Sequence, residues 1–255
     1  MPSSYPVGLI RTPGETLALS TSLASLGIPP NVYQALLYNP AVDFRLHLNP
    51  AILGVYFYDA GSAVGSRFVN LGAVLTDRAT GTGSGNTMNS MTSSDFLYIC
   101  FADTVGGFRG TIGNTNSTGA RTTSAKYSKN DNTFAAVTIT DGMASATSFD
   151  QTGSVTFTVP TDWKRGLITD FGITAEADSP VESGHWLQVA VNGTLDASVS
   201  ITELWALNSA TDRGYFRAGT EYAISLDRRN VGAIEAVLAS GSDTLQITWE
   251  KVAGM

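Results

Sequence analysis

Cysteine occurs once and histidine twice in the 255 residues. A single Cys100 excludes an intrachain disulfide. Set in the apolar run Phe96-Leu-Tyr-Ile-Cys-Phe101, it reads as a small buried hydrophobe. His47 and His185 each lack a second His or Cys at ligand spacing, so both read as structural and no metal site is expected. Charge is scarce as well, at 15% Asp, Glu, Lys and Arg, where an ordinary domain carries about 25%. The net charge of -7 and the lack of any basic cluster larger than Lys164-Arg165 or Arg228-Arg229 argue against a nucleic-acid partner.

Long hydrophobic runs are missing too. No segment approaches the roughly 18 apolar residues of a membrane span, so no membrane partner is expected. Thr16 to Val42 carries no charge, yet Ser20, Thr21, Ser22, Pro29, Pro30 and Asn31 break it up. The N-terminal residues have neither the basic segment nor the apolar stretch of a secretory signal, so folding in a reducing cytoplasm is expected. On that expectation the sequons Asn116-Ser-Thr118 and Asn192-Gly-Thr194 read as turn sequences.

Signatures of catalysis are equally sparse. There is no Gly-x-Ser-x-Gly elbow, no phosphate-binding loop and no dinucleotide fingerprint. Linear order pairs no two carboxylates for hydrolysis. Asp141-Gly142 and Asp150-Gln151 stand without further acidic ligands and read as turns rather than calcium loops. The expectation is a protein that is not an enzyme and takes no cofactor.

What the chain has in abundance is β-pattern. Phe108–Ile112, Thr122–Ser128, Phe134–Thr140, Ser154–Pro160, Trp186–Val191 and Val199–Leu204 alternate polar and apolar residues between Gly, Asn, Asp and Ser turns. Period-two alternation sends successive side chains to opposite faces of a sheet, and many short strands in series predict a sandwich or barrel. The fold class expected is all-β, an antiparallel jelly-roll-like β-sandwich with an extended N-terminal arm.

Three regions follow. Residues 1–49 hold six of the nine prolines and read as an extended arm, with one short helix at Asn31–Tyr38 between Pro29-Pro30 and Asn39-Pro40. Residues 50–208 form the sandwich. Residues 209–255 supply the strands Tyr222–Leu226, Ala233–Ala239 and Leu245–Trp249, which complete the sandwich or join an inter-subunit sheet.

Two sets of contact residues stand out. An uncharged arm is poorly solvated alone and should lie over a neighbour, with Leu17, Leu23, Leu26, Ile28 and Leu36 as partner-binding residues. Among the four tryptophans, Trp186 and Trp205 fall on or beside strands and read as core anchors. Trp163 sits in a polar turn and is the candidate for stacking against a glycan.

The order of motifs resembles a known module. It runs through Thr123-Ser-Ala-Lys-Tyr-Ser128, Asn132-Thr-Phe-Ala-Ala-Val137 and Ser148-Phe-Asp-Gln-Thr-Gly-Ser-Val-Thr-Phe-Thr-Val-Pro160. It continues with Asp162-Trp-Lys164, His185-Trp-Leu187 and Thr202-Glu-Leu204. Over about residues 95 to 206 this is similar to a β-sandwich module of tailed-bacteriophage structural proteins. The resemblance implies a virion protein assembled in the host cytoplasm, and it carries over no catalytic residues.

Within that class the expectation is a capsid decoration or cement subunit. It would bind adjacent major capsid proteins and self-associate, as a trimer for example. A tail, baseplate or fibre component and a virion carbohydrate-binding module are the alternatives.

Overall fold

A computed structural model describes residues 9–11, 15–20, 24–28, 32–38, 44–76, 86–88, 90–207, 214–216, 222–225, 231–238 and 241–252. The chain divides into two compact units, one formed by residues 1–49 with 210–255 and the other by Pro50–Ser209. Both are antiparallel and almost wholly β.

The first unit draws strands from both ends of the sequence. These are β1 (Leu9–Arg11), β2 (Glu15–Ser20), β3 (Ala24–Gly27), β4 (Val32–Tyr38) and β5 (Phe44–Pro50), with β18 (Gly214–Phe216), β19 (Tyr222–Ser225), β20 (Val231–Leu238) and β21 (Ser242–Val252). One sheet runs β1-β21-β4-β19, with β2 also on β21, and the other runs β18-β5-β20-β3. Eleven-residue β21 organises the first sheet: β2 pairs along its start and β1 along its end, while β4 lines the opposite edge. Leu17 and Leu19, Ala35 and Leu37, Phe44 and Leu46, Ile234 and Leu238, and Leu245, Ile247 and Trp249 close one core.

The described strands of residues 1–49 are therefore not an extended arm, and the described C-terminal strands do not complete the Pro50–Ser209 sandwich. They pair with the N-terminal strands. The helix expected at Asn31–Tyr38 is also replaced, by strand β4. Val32, Ala35 and Leu36 imitate helical spacing, but β21 and β19 flank the segment and satisfy its backbone on both sides. Helix propensity is a weak preference that such tertiary pairing overrides.

The second unit, Pro50–Ser209, is bracketed in sequence by β5 and β18. Those two strands pair with each other, Leu46 opposite Gly214 and Phe44 opposite Phe216. In topological terms a complete sandwich is inserted into a hairpin.

Its strands are β6 (Ile52–Tyr58), β7 (Phe68–Asn70), β8 (Asn86–Thr87), β9 (Phe96–Phe101), β10 (Gly107–Asn114) and β11 (Thr123–Ser128). They continue with β12 (Phe134–Val137), β13 (Ile139–Asp141), β14 (Gly153–Phe157), β15 (Arg165–Gly166), β16 (Gly184–Val191) and β17 (Ser200–Leu207). A four-residue helix, α1 (Gly72–Leu75), and a 3-10 turn at Ile168–Phe171 are its helical elements among the described residues.

The larger sheet runs β12-β11-β16-β9-β6-β7, with β15 beside β16, and the smaller runs β13-β14-β10-β17-β8. The alternating run expected from Phe134 to Thr140 is one strand in sequence and two in space. It breaks at Thr138, so that β12 pairs with β11 in the larger sheet and β13 with β14 in the smaller. Inward residues such as Val55, Leu97, Ile99, Phe108, Val155, Leu187, Val189, Ile201 and Leu204 fill the space between the sheets.

Candidate binding groove

The outward face of the larger sheet carries an unusual row of rings. Alternation along β6, β9 and β16 places Tyr56 and Tyr58, Phe96, Tyr98 and Cys100, and Trp186 and Gln188 on that side. A second apolar layer forms there as the 3-10 turn lays Ile168 and Phe171 over Tyr98, Cys100 and Trp186. This cover is incomplete. It leaves a groove of about 250 Å³ lined by Tyr58, Arg67, Phe96, Tyr98, Glu176 and Gln188, with Gly172 to Thr174 along one wall.

Tyr58 and Phe96 are cross-strand partners, and their rings lie nearly parallel at 28° with centroids 6.0 Å apart. Tyr98 meets Tyr58 edge-on at 82°. Beneath them the Gln188 Nε2 donates to the Tyr98 hydroxyl at 2.7 Å. Burial pushes the Tyr98 phenol well above its ordinary range, so it stays protonated. Gln188 is 6% exposed, and no donor among the described residues reaches its Oε1.

The wall is held by three carboxylates from a single irregular segment, residues 173–183. Glu176 Oε2 accepts the Gly65 N–H at 2.7 Å, and its Oε1 lies 3.3 Å from Arg67 Nη1. Asp178 Oδ2 accepts the Phe68 N–H at 2.7 Å. Both oxygens of Glu182 lie 2.7 Å from the Tyr56 hydroxyl, which donates to them and accepts from Asn70 Nδ2 at 3.3 Å. Burial first, then the hydrogen bond and charge of Glu182, raise the Tyr56 phenol well above its ordinary range. These bonds tie the segment to β6, β7 and the turn between them.

Arg67 bridges wall and floor. Its Nε donates to the Ser62 carbonyl at 3.2 Å, and its Nη1 donates to the Tyr58 hydroxyl and to Glu176, both at 3.3 Å. Its Nη2 has no partner among the described residues.

Trp163, expected to face a glycan, is instead core: it is 7% exposed. Its Nε1 donates to the Trp186 carbonyl at 3.1 Å, and its ring meets Phe101 and Tyr127 edge-on. The polar turn around it is drawn into the sheet by a bridge between Lys129 and Trp163. Tyr127 donates to Asp162 Oδ1 at 2.8 Å, and Ser128 Oγ donates to the Lys164 carbonyl at 2.7 Å while accepting the Trp186 N–H at 3.0 Å. Tyr127, Ser128, Asp162, Trp163, Lys164 and Trp186 thus form one connected structural network.

The expected arm contacts fare similarly. Leu17 is buried in the first unit's own core, and Leu26 and Ile28 are half-buried against that core. Leu36 is half-buried on β4. Leu23 lies outside the described residues. None of the four described leucine and isoleucine positions is presented by a free arm.

Cys100 is buried, its thiol pushed up by burial and by the nearby Glu182 charge. His185 is half-buried, its Nδ1 without a partner among the described residues, and burial lowers its pKa. The side chain of His47, on β5, lies outside the described residues. Asn116 is 3% exposed and serves as a turn residue, donating from Nδ2 to Thr147 Oγ1 and accepting the Asp196 N–H. No group of three His, Cys, Asp or Glu among the described residues could hold a metal ion. No helix among them is long and apolar enough to cross a membrane.

The groove escaped sequence reading because its parts are far apart in the chain. Tyr58, Phe96 and Gln188 read as strand residues, and only the cluster Glu176, Asp178 and Glu182 within seven residues signalled a charged feature. Fold and groove together define an all-β protein of two sandwiches with a small mixed aromatic and polar recess. No family model, curated protein or solved structure matches the chain significantly.

Proposed function

We propose that this chain is a structural subunit of a tailed-bacteriophage particle, acting by association rather than by chemistry. The observation that supports this reading is the network joining Tyr127, Ser128, Asp162, Trp163, Lys164 and Trp186, because these six fall in three of the motifs on which the phage-module resemblance rests. A motif whose residues hold one another in place specifies a scaffold, and sites on a scaffold vary independently. The low charge adds support, since Ser- and Thr-rich surfaces are desolvated at less cost than charged ones when a lattice packs.

A capsid decoration role is the preferred form, with major capsid proteins and further copies of the chain as partners. Attachment does not use a free arm. With the N-terminal strands folded into the first unit, it falls to sheet faces and outer edges such as that of β19. Many modest contacts repeated by symmetry then supply the avidity.

Immunogold labelling of purified particles, with mass spectrometry of their proteins, tests the reading. Stoichiometric label over the head supports decoration. Label over the tail or baseplate moves the subunit to the alternative location. Absence of the chain from particles overturns the proposal.

A further inference from the structure

From the groove on the second unit we infer a binding site for a single neutral hexopyranose ring, the end or a branch of a glycan. This does not rest on the virion reading and stands on the groove alone. At about 250 Å³ the space lies below the roughly 300–1,000 Å³ of sites for drug-sized ligands, and it suits one ring rather than an extended chain. One side is aromatic: Tyr58 and Phe96 form a near-parallel, half-buried pair. Such rings carry a negative face that attracts the weakly positive C–H groups of a pyranose.

The other side is polar and offers both senses of hydrogen bond. Arg67 Nη2 provides donors with no partner among the described residues, and Gln188 Oε1 provides an acceptor in the same position. Gln188 lines the groove, and its Oε1 is not among the buried unpartnered atoms of the described residues, so this acceptor opens onto the recess where a ligand hydroxyl can reach it. Vicinal hydroxyls, each donor and acceptor at once, match that alternation.

Charge selects the neutral class. The guanidinium of Arg67 is already balanced by Glu176 at 3.3 Å, so no free positive charge remains to hold a carboxylate or sulfate.

Saturation-transfer NMR on the full chain with methyl glycosides of glucose, galactose and mannose, beside methyl glucuronide and N-acetylneuraminic acid, tests the inference. The expected result is saturation of ring C–H protons for at least one neutral glycoside, with weaker or no transfer to the acidic sugars. Phe96→Ala should lower that affinity about tenfold, and Gln188→Met should lower it as well, in chains whose melting confirms they are folded. No transfer to any neutral glycoside overturns the site. Binding unchanged in both folded variants also overturns it, and preference for the acidic sugars overturns the neutral class.

Discussion

Gly184 presses its bare α-carbon against the thiol of Cys100. A Cβ placed on Gly184 would fall against Cys100 Sγ and stand 2.6 Å from the Phe101 carbonyl oxygen. Close approach of β16 to β9 therefore requires glycine at this point, on the sheet face that carries the aromatic layer.

Gly184→Ala should destabilise the second unit by about 1–3 kcal/mol, the usual cost of overpacking. Cys100→Ala in the same chain should recover only part of the loss, because the Phe101 carbonyl remains in the way. Urea denaturation of the two single variants and the double variant measures the coupling. Full recovery would show that the backbone contact is slack.

Trp163→Ala should cost about 3–5 kcal/mol, as for other large-to-small changes in a packed core. Tryptophan fluorescence reads this, since Trp186 and Trp205 remain in the second unit. A change within about 0.5 kcal/mol, typical of surface substitutions, would return Trp163 to the surface.

Leu17→Ala tests the first unit in the same way. Its side chain lies in that unit's own core, so the expected loss is about 2–5 kcal/mol, followed by Trp249 fluorescence. A residue of a free arm would leave the unfolding midpoint unmoved.

Acid stability should depend on Asp150. Partial burial raises its carboxyl, but the N–H groups of Ala146, Ser145 and Thr147 and the Ser145 hydroxyl override this and hold it at about 2. A pKa lowered by folding stabilises above the unfolded value, about 3.9, and that contribution disappears as pH falls toward 2. Asp150→Asn should flatten the decline of the urea midpoint between pH 4 and pH 2 (about the interval between those two values). An equally steep decline in the variant would assign it to other carboxylates.

Alkaline stability runs through Tyr98 and Tyr56. Folding raises both phenols, chiefly by burial. Their contribution is complete below the unfolded value near 10 and is lost as pH rises through the folded values. Ultraviolet titration should show phenols that fail to ionise in their ordinary range until the chain unfolds. Tyr98→Phe should remove one of them.

The inserted sandwich was largely readable from the alternation of β10, β11, β14, β16 and β17, because a half-buried strand writes its two faces into its sequence. β4 was not, since Val32, Ala35 and Leu36 fit a helix until the strands flanking them are known. Trp163 misled for a related reason: its neighbours Asp162 and Lys164 are polar, yet they serve partners on β11. The groove depends on residues from Tyr58 to Gln188, brought together by pairings that no local pattern records.

The insertion of one sandwich within a hairpin of the other also sets an order of events on the ribosome. All five described N-terminal strands find their ladders with strands that lie beyond residue 213. Residues 50–209 can therefore complete their own sheets while the strands before them still wait, unpaired, for those beyond residue 213 to emerge. That delay is the interval in which a holding chaperone or a neighbouring nascent chain has most to act on.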